Sequence, residues 1–597
     1  MAFLVRRHLV DSCRPPSWRR LSVRFRRPFP ALFLLLACLV FLGGMLYAPS
    51  NYDATTYRLP RVLSWLAEGH WFWIHTATVR MNDRSCGWEW IMAPVLLFTH
   101  STRTLFLINF IPFLLLPGLI FSMFTRLGIR RRVAAAWMWL APTGYVFLLQ
   151  AGGVGNDAFA GVYALAAIDF ALRAAKSRSF ADAALSCLAI ALLGGAKTGN
   201  LPLMLPWLVV FLPAIPILLK RPVLLLPLGL VSCAASFLPM AVLNHLHCGD
   251  WTGFVLEPVL ASRNPIAAIV GNSLMFLIGN FVPPLFPFTG VWNSSFLGWL
   301  PLGLGHFLAA NFEPGFYRLG ELPIEDGAGL GFSLSVLLVY SWLAAFRQGG
   351  PAQVVCVATV RQRRLFLLCV LVALLVFFAK SAMEALPRLL AAYYALLIPA
   401  FLASPAQEIL VRRRTWRYLA IGLTLLALPV LVLNPSRPLW PAKSFLARLD
   451  GDSHRLMRRA KDVYSVYERR SDTLAPLRAH LPADCGVVGF AALPNESPLS
   501  LFYPVGTRKV EFILDRDSPE EVRARGIQFA VISGAELERI GNSIEQWAKR
   551  YGADVVSSEE IKALIVQGPV VWHVVKFKAE GSGPERSQPH GQSPSIP

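Results

Sequence analysis

Asp53 lies a few residues past the end of the first long apolar run, and Arg58 and Arg61 follow it in NYDATTYRLPRVLSW. A positioned carboxylate can take a proton from an attacking hydroxyl, and fixed cations can hold the charge that develops on a leaving phosphate. Other charged residues stand at turns between later apolar runs: Arg80 with Glu89, Asn156-Asp157 in GGVGND, Lys197-Thr198 in GGAKTGN, and Arg388 in ALPRLL. Charges at the ends of membrane helices are costly unless they face a polar cavity or one another. Both signs at one depth therefore imply a shared polar cavity on the outer face. Each residue also has a bland reading. Arg58 and Arg388 would snorkel, Lys197 would flank a helix, Asp53 would be a loop or capping acid, and Asp157 would cap the helix it opens.

The elements that must position these residues are membrane helices. The chain has 597 residues, 55% hydrophobic and 16% charged, with mean hydropathy +0.49. The net charge of +21 does not point to nucleic acid, because the arginines gather in short loops between apolar runs, as the positive-inside rule requires. Residues 1–28 hold eight arginines, from Arg6 to Arg27, against Asp11 alone, which places a basic N-terminus in the cytoplasm. Spans are expected at about 29–48, 103–124, 133–150, 158–173, 180–195, 201–219, 223–244, 330–346, 365–380, 388–404 and 418–434, about eleven in all. The segment 266–290 is apolar but carries Asn272, Asn280, Pro283, Pro284 and Pro287. If it crossed, the clusters Arg361–Arg364 and Arg412–Arg414 would face outward, so it is read as re-entrant or interfacial.

The expected organisation is a transmembrane domain over 29–434, with a first outer loop at 49–102 and a long outer loop at 245–329. In the first loop Trp65, Trp71, Phe72 and Trp73 predict an aromatic segment of two turns or more lying flat on the bilayer. A small α/β domain follows over 435–579, then a Gly-, Ser- and Pro-rich tail over 580–597 that reads as disordered. In the α/β domain, Ser518-Pro519-Glu520-Glu521 predicts a helix start, and strand-like runs at 485–492, 509–514 and 527–533 predict some parallel pairing. The fold class is thus a polytopic α-helical membrane protein with a small C-terminal α/β soluble domain. Cys86 and Cys248, both on the outer side, are candidates for a bridge between the two outer loops. His70, His75, His245 and His247 share that side, but the spacing of His245 and His247 suits no recurring zinc motif, and no metal or cofactor is expected.

YDATTYRLPRVLSWLAEGHWF, the ND of GGVGNDAF, the KTG of GGAKTGN and LPRLL together resemble the polyprenyl-phosphate-sugar-dependent glycosyltransferases of fold type C (GT-C), the group that includes protein O-mannosyltransferases and lipid A aminoarabinose transferases. The resemblance covers roughly residues 29–400 in layout. It implies that Asp53 is the catalytic base or orients the acceptor, with Asp157 as a second acid. It implies that Lys197 lies near the lipid phosphate, and that Arg80 and Glu89 form a charged pair closing the first loop. Arg388 and Arg58 are further candidates for the donor phosphate. One departure is that Asp53 is followed by Ala54, where members of the group often carry a second acid, which weakens a metal-bridging reading. The activity implied is inverting transfer of a sugar from a polyprenyl-phosphate donor to a hydroxyl of a glycan, lipid or protein acceptor, at the periplasmic face of an inner membrane. The rival readings are a lipid or saccharide transporter or flippase, and a non-enzymatic envelope assembly protein.

Overall fold

Lipid offers no partner to backbone N–H and C=O groups, so apolar runs within it close their hydrogen bonds internally as helices. The computed structural model describes residues 18–258, 264–312, 315–347, 360–383, 385–448, 455–565 and 567–578. The basic N-terminus up to residue 17 and the tail from 580 lie outside the described residues. Among the described residues six helices are long and apolar enough to cross a membrane: Pro28–Leu46, Thr102–Arg126, Asp157–Ser177, Thr198–Leu219, Val360–Lys380 and Arg414–Val432. Two bent pairs raise this to 8.

The eleven runs expected to span are all helical, yet six to eight meet the length requirement. Two of them break in the middle. Arg131–Thr143 and Tyr145–Ala151 meet at 58°, and Pro222–Ala235 and Leu238–Cys248 meet at 57°. The first break falls where Pro142 opens a 3-10 turn and Gly144 leaves helical dihedrals at ψ 140. A proline inside a helix clashes with the carbonyl four residues back and removes one donor. Three other runs give helices of 17, 15 and 12 residues, Phe180–Ala196, Phe332–Phe346 and Ala391–Leu402. At 1.5 Å per residue these reach about 25, 22 and 18 Å, short of a bilayer core of about 30 Å.

The C-terminal region forms a five-stranded sheet in the order β2-β1-β3-β5-β4. Its strands are β1 (Val487–Ala491), β2 (Lys509–Phe512), β3 (Phe529–Ser533), β4 (Ala553–Ile561) and β5 (Val570–Phe577). β1 pairs in parallel with both β2 and β3, as the alternation of strand and helix predicts, and β5 pairs antiparallel with β3 and β4. Ser518 caps the helix Pro519–Ala524 in a full capping box with Glu521, the start read from the sequence. This domain rests on the first outer loop. Ser497 Oγ donates to the Thr55 carbonyl at 2.7 Å, the Asn495 amide donates to Thr78 Oγ1 at 3.0 Å, and His75 Nε2 lies 3.0 Å from both oxygens of Asp517.

Two expectations for the first loop are corrected. The helix Leu59–Glu68 does not lie free on the bilayer, because Leu59 to Trp65 are buried in protein; of Trp65, Trp71, Phe72 and Trp73, Trp71 alone is exposed. Cys86 and Cys248 are both free thiols, with Cys86 buried and Cys248 donating to the Asn244 carbonyl at 3.0 Å.

Candidate functional site

Asp53 is placed by the turn that leaves the first span. Asn51 accepts the Ala54 amide at 2.7 Å, and residues 54–58 then wind as a wide π-helical turn that carries Arg58 inward. Single π-turns within helices recur at functional sites. Lys197 is placed by glycine. Gly87 donates its amide to the Gly195 carbonyl at 3.0 Å, and a Cβ on Gly87 would stand 2.9 Å from that carbonyl. Only a bare backbone lets the first loop close on the GGAKTGN turn this tightly. The other glycine-rich turn is held by Asn109, whose Nδ2 donates to the carbonyls of Gly155 at 2.7 Å and Gly153 at 3.0 Å.

These turns bring the predicted residues together. Arg388 stands at the centre. Its Nη2 donates to Asp53 Oδ2 at 2.9 Å, its Nε lies 3.5 Å from Asp157 Oδ2, and its Nη1 lies 3.8 Å from Asp326 Oδ1. Asp157 also pairs with Lys197 Nζ through Oδ1 and accepts from Gln150 Nε2 at 3.1 Å. Arg58 lies 3.7 Å from Asp53 Oδ2 and donates to Asn156 Oδ1 at 2.9 Å. Burial pushes the Asp53 carboxyl up. The guanidiniums of Arg388 and Arg58, with Lys197 and Arg80 behind them, more than reverse this and hold it well below the usual carboxylate range.

Asp53, Arg58, Lys197 and Arg388 line a cavity of about 1200 Å³; Asp157 is not among its lining residues and stands behind Lys197 and Arg388. The charged lining comprises nine Lys and Arg side chains against Asp53, Glu257 and Asp326. So large an excess of cations suits an anionic occupant. At one flank the lining is apolar, with Leu201 and Pro202 from one span, Val376 and Phe377 from another, and Phe237 between bent helices. Leu201 and Val376 also face outward, which carries this flank to the lipid side of the helix bundle.

The expected Arg80–Glu89 pair does not form. Arg80 Nε donates to Glu257 Oε1 at 2.8 Å, and Arg84 shares the same carboxylate. Glu89 is buried beneath Arg58, at 3.3 Å, with Arg61 Nη1 at 3.9 Å. Arg61 caps four carbonyls of the first loop, those of Arg80, Met81, Arg84 and Ser85. His245 stacks on Trp251 and His247 on Trp73, each at 4.4 Å, and no group of three His, Cys, Asp or Glu is placed to hold an ion among the described residues.

Two residues of the cluster escaped the sequence reading. Asp326 lies between Arg388 and Arg470, with Arg470 Nη1 at 3.1 Å from its Oδ2, and accepts the Tyr52 amide at 3.3 Å. Arg470 arrives from the C-terminal region and packs over the rings of Tyr467 and Tyr52. A signal for Asp326 did exist, since Glu321, Glu325 and Asp326 cluster in a stretch otherwise poor in acids. Arg470 had none, being one basic residue among many. The Arg470–Asp326 pair is well buried, at 12% and 18% side-chain exposure, whereas Lys443–Glu468 is exposed at 83% and 54%. Truncating one partner of a buried pair costs about 3–5 kcal/mol, and an exposed pair is worth about 0–1 kcal/mol. Arg470→Ala is therefore expected to lower the thermal unfolding midpoint in detergent well below that of Lys443→Ala. Equal midpoints would show that Asp326 is satisfied without Arg470.

Two solved structures are similar to this chain in fold. One is ArnT from Cupriavidus metallidurans bound to undecaprenyl phosphate, with TM-score 0.49 and 14% identity over 93% of this chain and 99% of that one. The other is ArnT from the same organism in the apo state, with TM-score 0.47 and 15% identity over 91% and 97%. No protein-family model matches the chain, and no curated protein does.

Proposed function

We propose that this protein is a membrane glycosyltransferase of fold type C. It moves a sugar from a polyprenyl-phosphate donor to an acceptor hydroxyl, with inversion, at the periplasmic face of an inner membrane. The observation that carries this reading is the cluster around Arg388, a carboxylate and three cations lining one cavity whose apolar flank reaches the lipid side of the bundle. A polyprenyl tail must stay in the bilayer, so its phosphate and the sugar carbon attached to it are presented at the interface. The cavity's apolar lining from Thr198–Leu219 and Val360–Lys380 supports such a presentation.

The steps follow from the residues. The acceptor oxygen attacks the anomeric carbon as the carbon–oxygen bond to phosphate breaks, and Asp53 takes the hydroxyl proton. The phosphate leaves as a dianion held by Arg388 and Lys197, with Arg58 behind. Preorganised donors of this kind contribute about 3 kcal/mol each to transition states that gather charge. Before a donor binds, Asp53 is a weak base because two guanidiniums hold it. An arriving phosphate draws on the same two guanidiniums, so the donor itself makes Asp53 more basic. Asp157, with both oxygens engaged, keeps Lys197 and Arg388 in place. This gives Asp157 a positioning role in place of that of a second catalytic acid. The divisions at 28, 434 and 579 are retained within this proposal, with the C-terminal domain on the outer side.

The test is release of free polyprenyl phosphate by purified protein in liposomes, with a panel of polyprenyl-phosphate sugars as donors and a crude envelope extract as acceptor source. Release by wild type and none by Asp53→Asn is the expected result. Movement of the donor across the vesicle wall with no covalent product would replace the transferase with a flippase.

The pH dependence gives a second check. Burial pushes the Lys197 ammonium down, Asp157 opposes this and Arg388 adds to it, leaving the group at about 8. Lys197 is thus charged below that pH and neutral above it, while Asp53 stays ionised through neutrality. Because kcat/KM reports groups of the free enzyme, it is expected to fall as pH rises through about 8. Lys197→Arg is expected to remove that fall. A fall that persists in the arginine variant would place the titrating group elsewhere.

A further inference from the structure

Between Arg263 and Glu313 the chain carries no Asp, Glu, Lys or Arg. This stretch forms the helix Pro265–Phe281 and then a hairpin of Thr289–Trp299 and Leu302–Asn311. At 17, 11 and 10 residues, the three helices reach about 25, 17 and 15 Å, and none crosses a bilayer core of about 30 Å.

The partners of the first helix fix its direction. Asn272, near its middle, donates through Nδ2 to the carbonyls of Phe378 at 2.8 Å and Ser381 at 2.7 Å, at the outer end of the span Val360–Lys380. Asn280, near its end, accepts the Leu330 amide at 2.6 Å, just before the helix Phe332–Phe346 begins. A helix running alongside Val360–Lys380 would meet that span's middle with its own middle. This one meets the outer ends of two different spans with its middle and its end, so its second half runs across the outer ends of the spans rather than down between them.

The hairpin continues the same surface. Ile266, Leu277, Leu285, Phe288, Trp299 and Leu302 are all exposed, up to 81% at Leu302. The inner side is polar and occupied. Trp292 Nε1 donates to the Tyr317 carbonyl at 2.9 Å, and Asn293 exchanges two hydrogen bonds with the backbone of Leu319, at 3.0 and 2.8 Å. Phe286 donates its amide to the Glu321 carbonyl at 2.9 Å. Five residues further on is Asp326, which faces Arg388.

We infer that residues 265–311 form an in-plane platform whose exposed face is seated in the acyl chains of the outer leaflet, and whose inner face holds the 317–326 segment over the ion cluster. Three observations select lipid as the occupant. The face is uncharged throughout, it is continuous with a helix laid across the outer ends of membrane spans, and it carries tryptophan, which favours the interface. An in-plane apolar helix sinks about 5–10 Å into the boundary between headgroups and acyl chains. The inference does not depend on which reaction the cavity serves.

The test uses the full chain in liposomes containing phosphatidylcholine with a photoactivatable group near the glycerol end of one acyl chain or, in a second sample, at the chain's tip. Labelled peptides are mapped by mass spectrometry after pepsin digestion. The expected result is that the shallow probe labels 265–311 and the deep probe labels it much less, while Pro28–Leu46 takes both labels and Val555–Val556 of the outer sheet takes neither. Deep labelling of 265–311 at the level of Pro28–Leu46 would overturn the in-plane placement. No labelling of 265–311 by either probe, with Pro28–Leu46 labelled, would overturn lipid as the occupant and leave a second copy of the chain to be sought by crosslinking.

Discussion

Asp53→Asn is expected to lower the rate of sugar transfer by about 10²–10⁴, the contribution of a positioned general base, while donor binding stays the same or tightens. The asparagine keeps the size and the hydrogen-bonding shape of the side chain but accepts no proton. The guanidiniums of Arg388, at 2.9 Å, and Arg58, at 3.7 Å, lose the carboxylate that competes with phosphate for them. Product polyprenyl phosphate, a dianion, is therefore expected to dissociate more slowly from the variant. The measurement pairs single-turnover transfer with equilibrium binding of polyprenyl phosphate. If Asp53 only held the turn together, the variant would lose binding and thermal stability along with rate. Retained binding with lost rate separates the two roles.

What could be read from the chain before its fold was known follows from topology more than from any motif. Asp53, Lys197 and Arg388 are far apart in sequence, yet each stands at an outer turn once basic loops are assigned to the inner side. Charge at one depth then predicts the cavity in which they meet. Pairing within the cavity was not legible in the same way. Arg80 and Glu89 share a loop and carry opposite charge, but the π-turn at 54–58 swings Arg58 over Glu89, and Glu257 comes from a different loop to take Arg80. Contacts between segments more than a hundred residues apart leave no periodicity to read, and Arg470 with Asp326 is the clearest instance. The sheet order was in part legible, because β1 and β3 are short buried runs joined through helical connections, which favours parallel neighbours. Where the spans bend was not legible either, because apolar length in sequence takes no account of breaks at Pro142–Gly144 and Ser236.

Arg388→Ala is expected to damage both fold and chemistry, and Arg388→Lys to separate them. The guanidinium is 6% exposed and reaches Asp53, Asp157 and Asp326 with three different nitrogens. Alanine leaves those carboxylates to Lys197, Arg58 and Arg470 alone. Removing one partner from a buried charge cluster costs about 3–5 kcal/mol, so the unfolding midpoint should fall sharply. Lysine restores the charge as a single point on a flexible stem, which can serve one or two of the carboxylates but cannot hold the planar three-way geometry. Its midpoint should recover most of the loss. The transfer rate should not, remaining about 10²–10³ below wild type, the scale of one lost donor to a developing charge. The decisive comparison is therefore between the two variants rather than with wild type. If lysine recovers rate in proportion to stability, Arg388 supplies charge alone. If stability returns and rate does not, the fork of the guanidinium is what aligns the phosphate against Asp53, and the cluster is built for transfer rather than for holding the helices together.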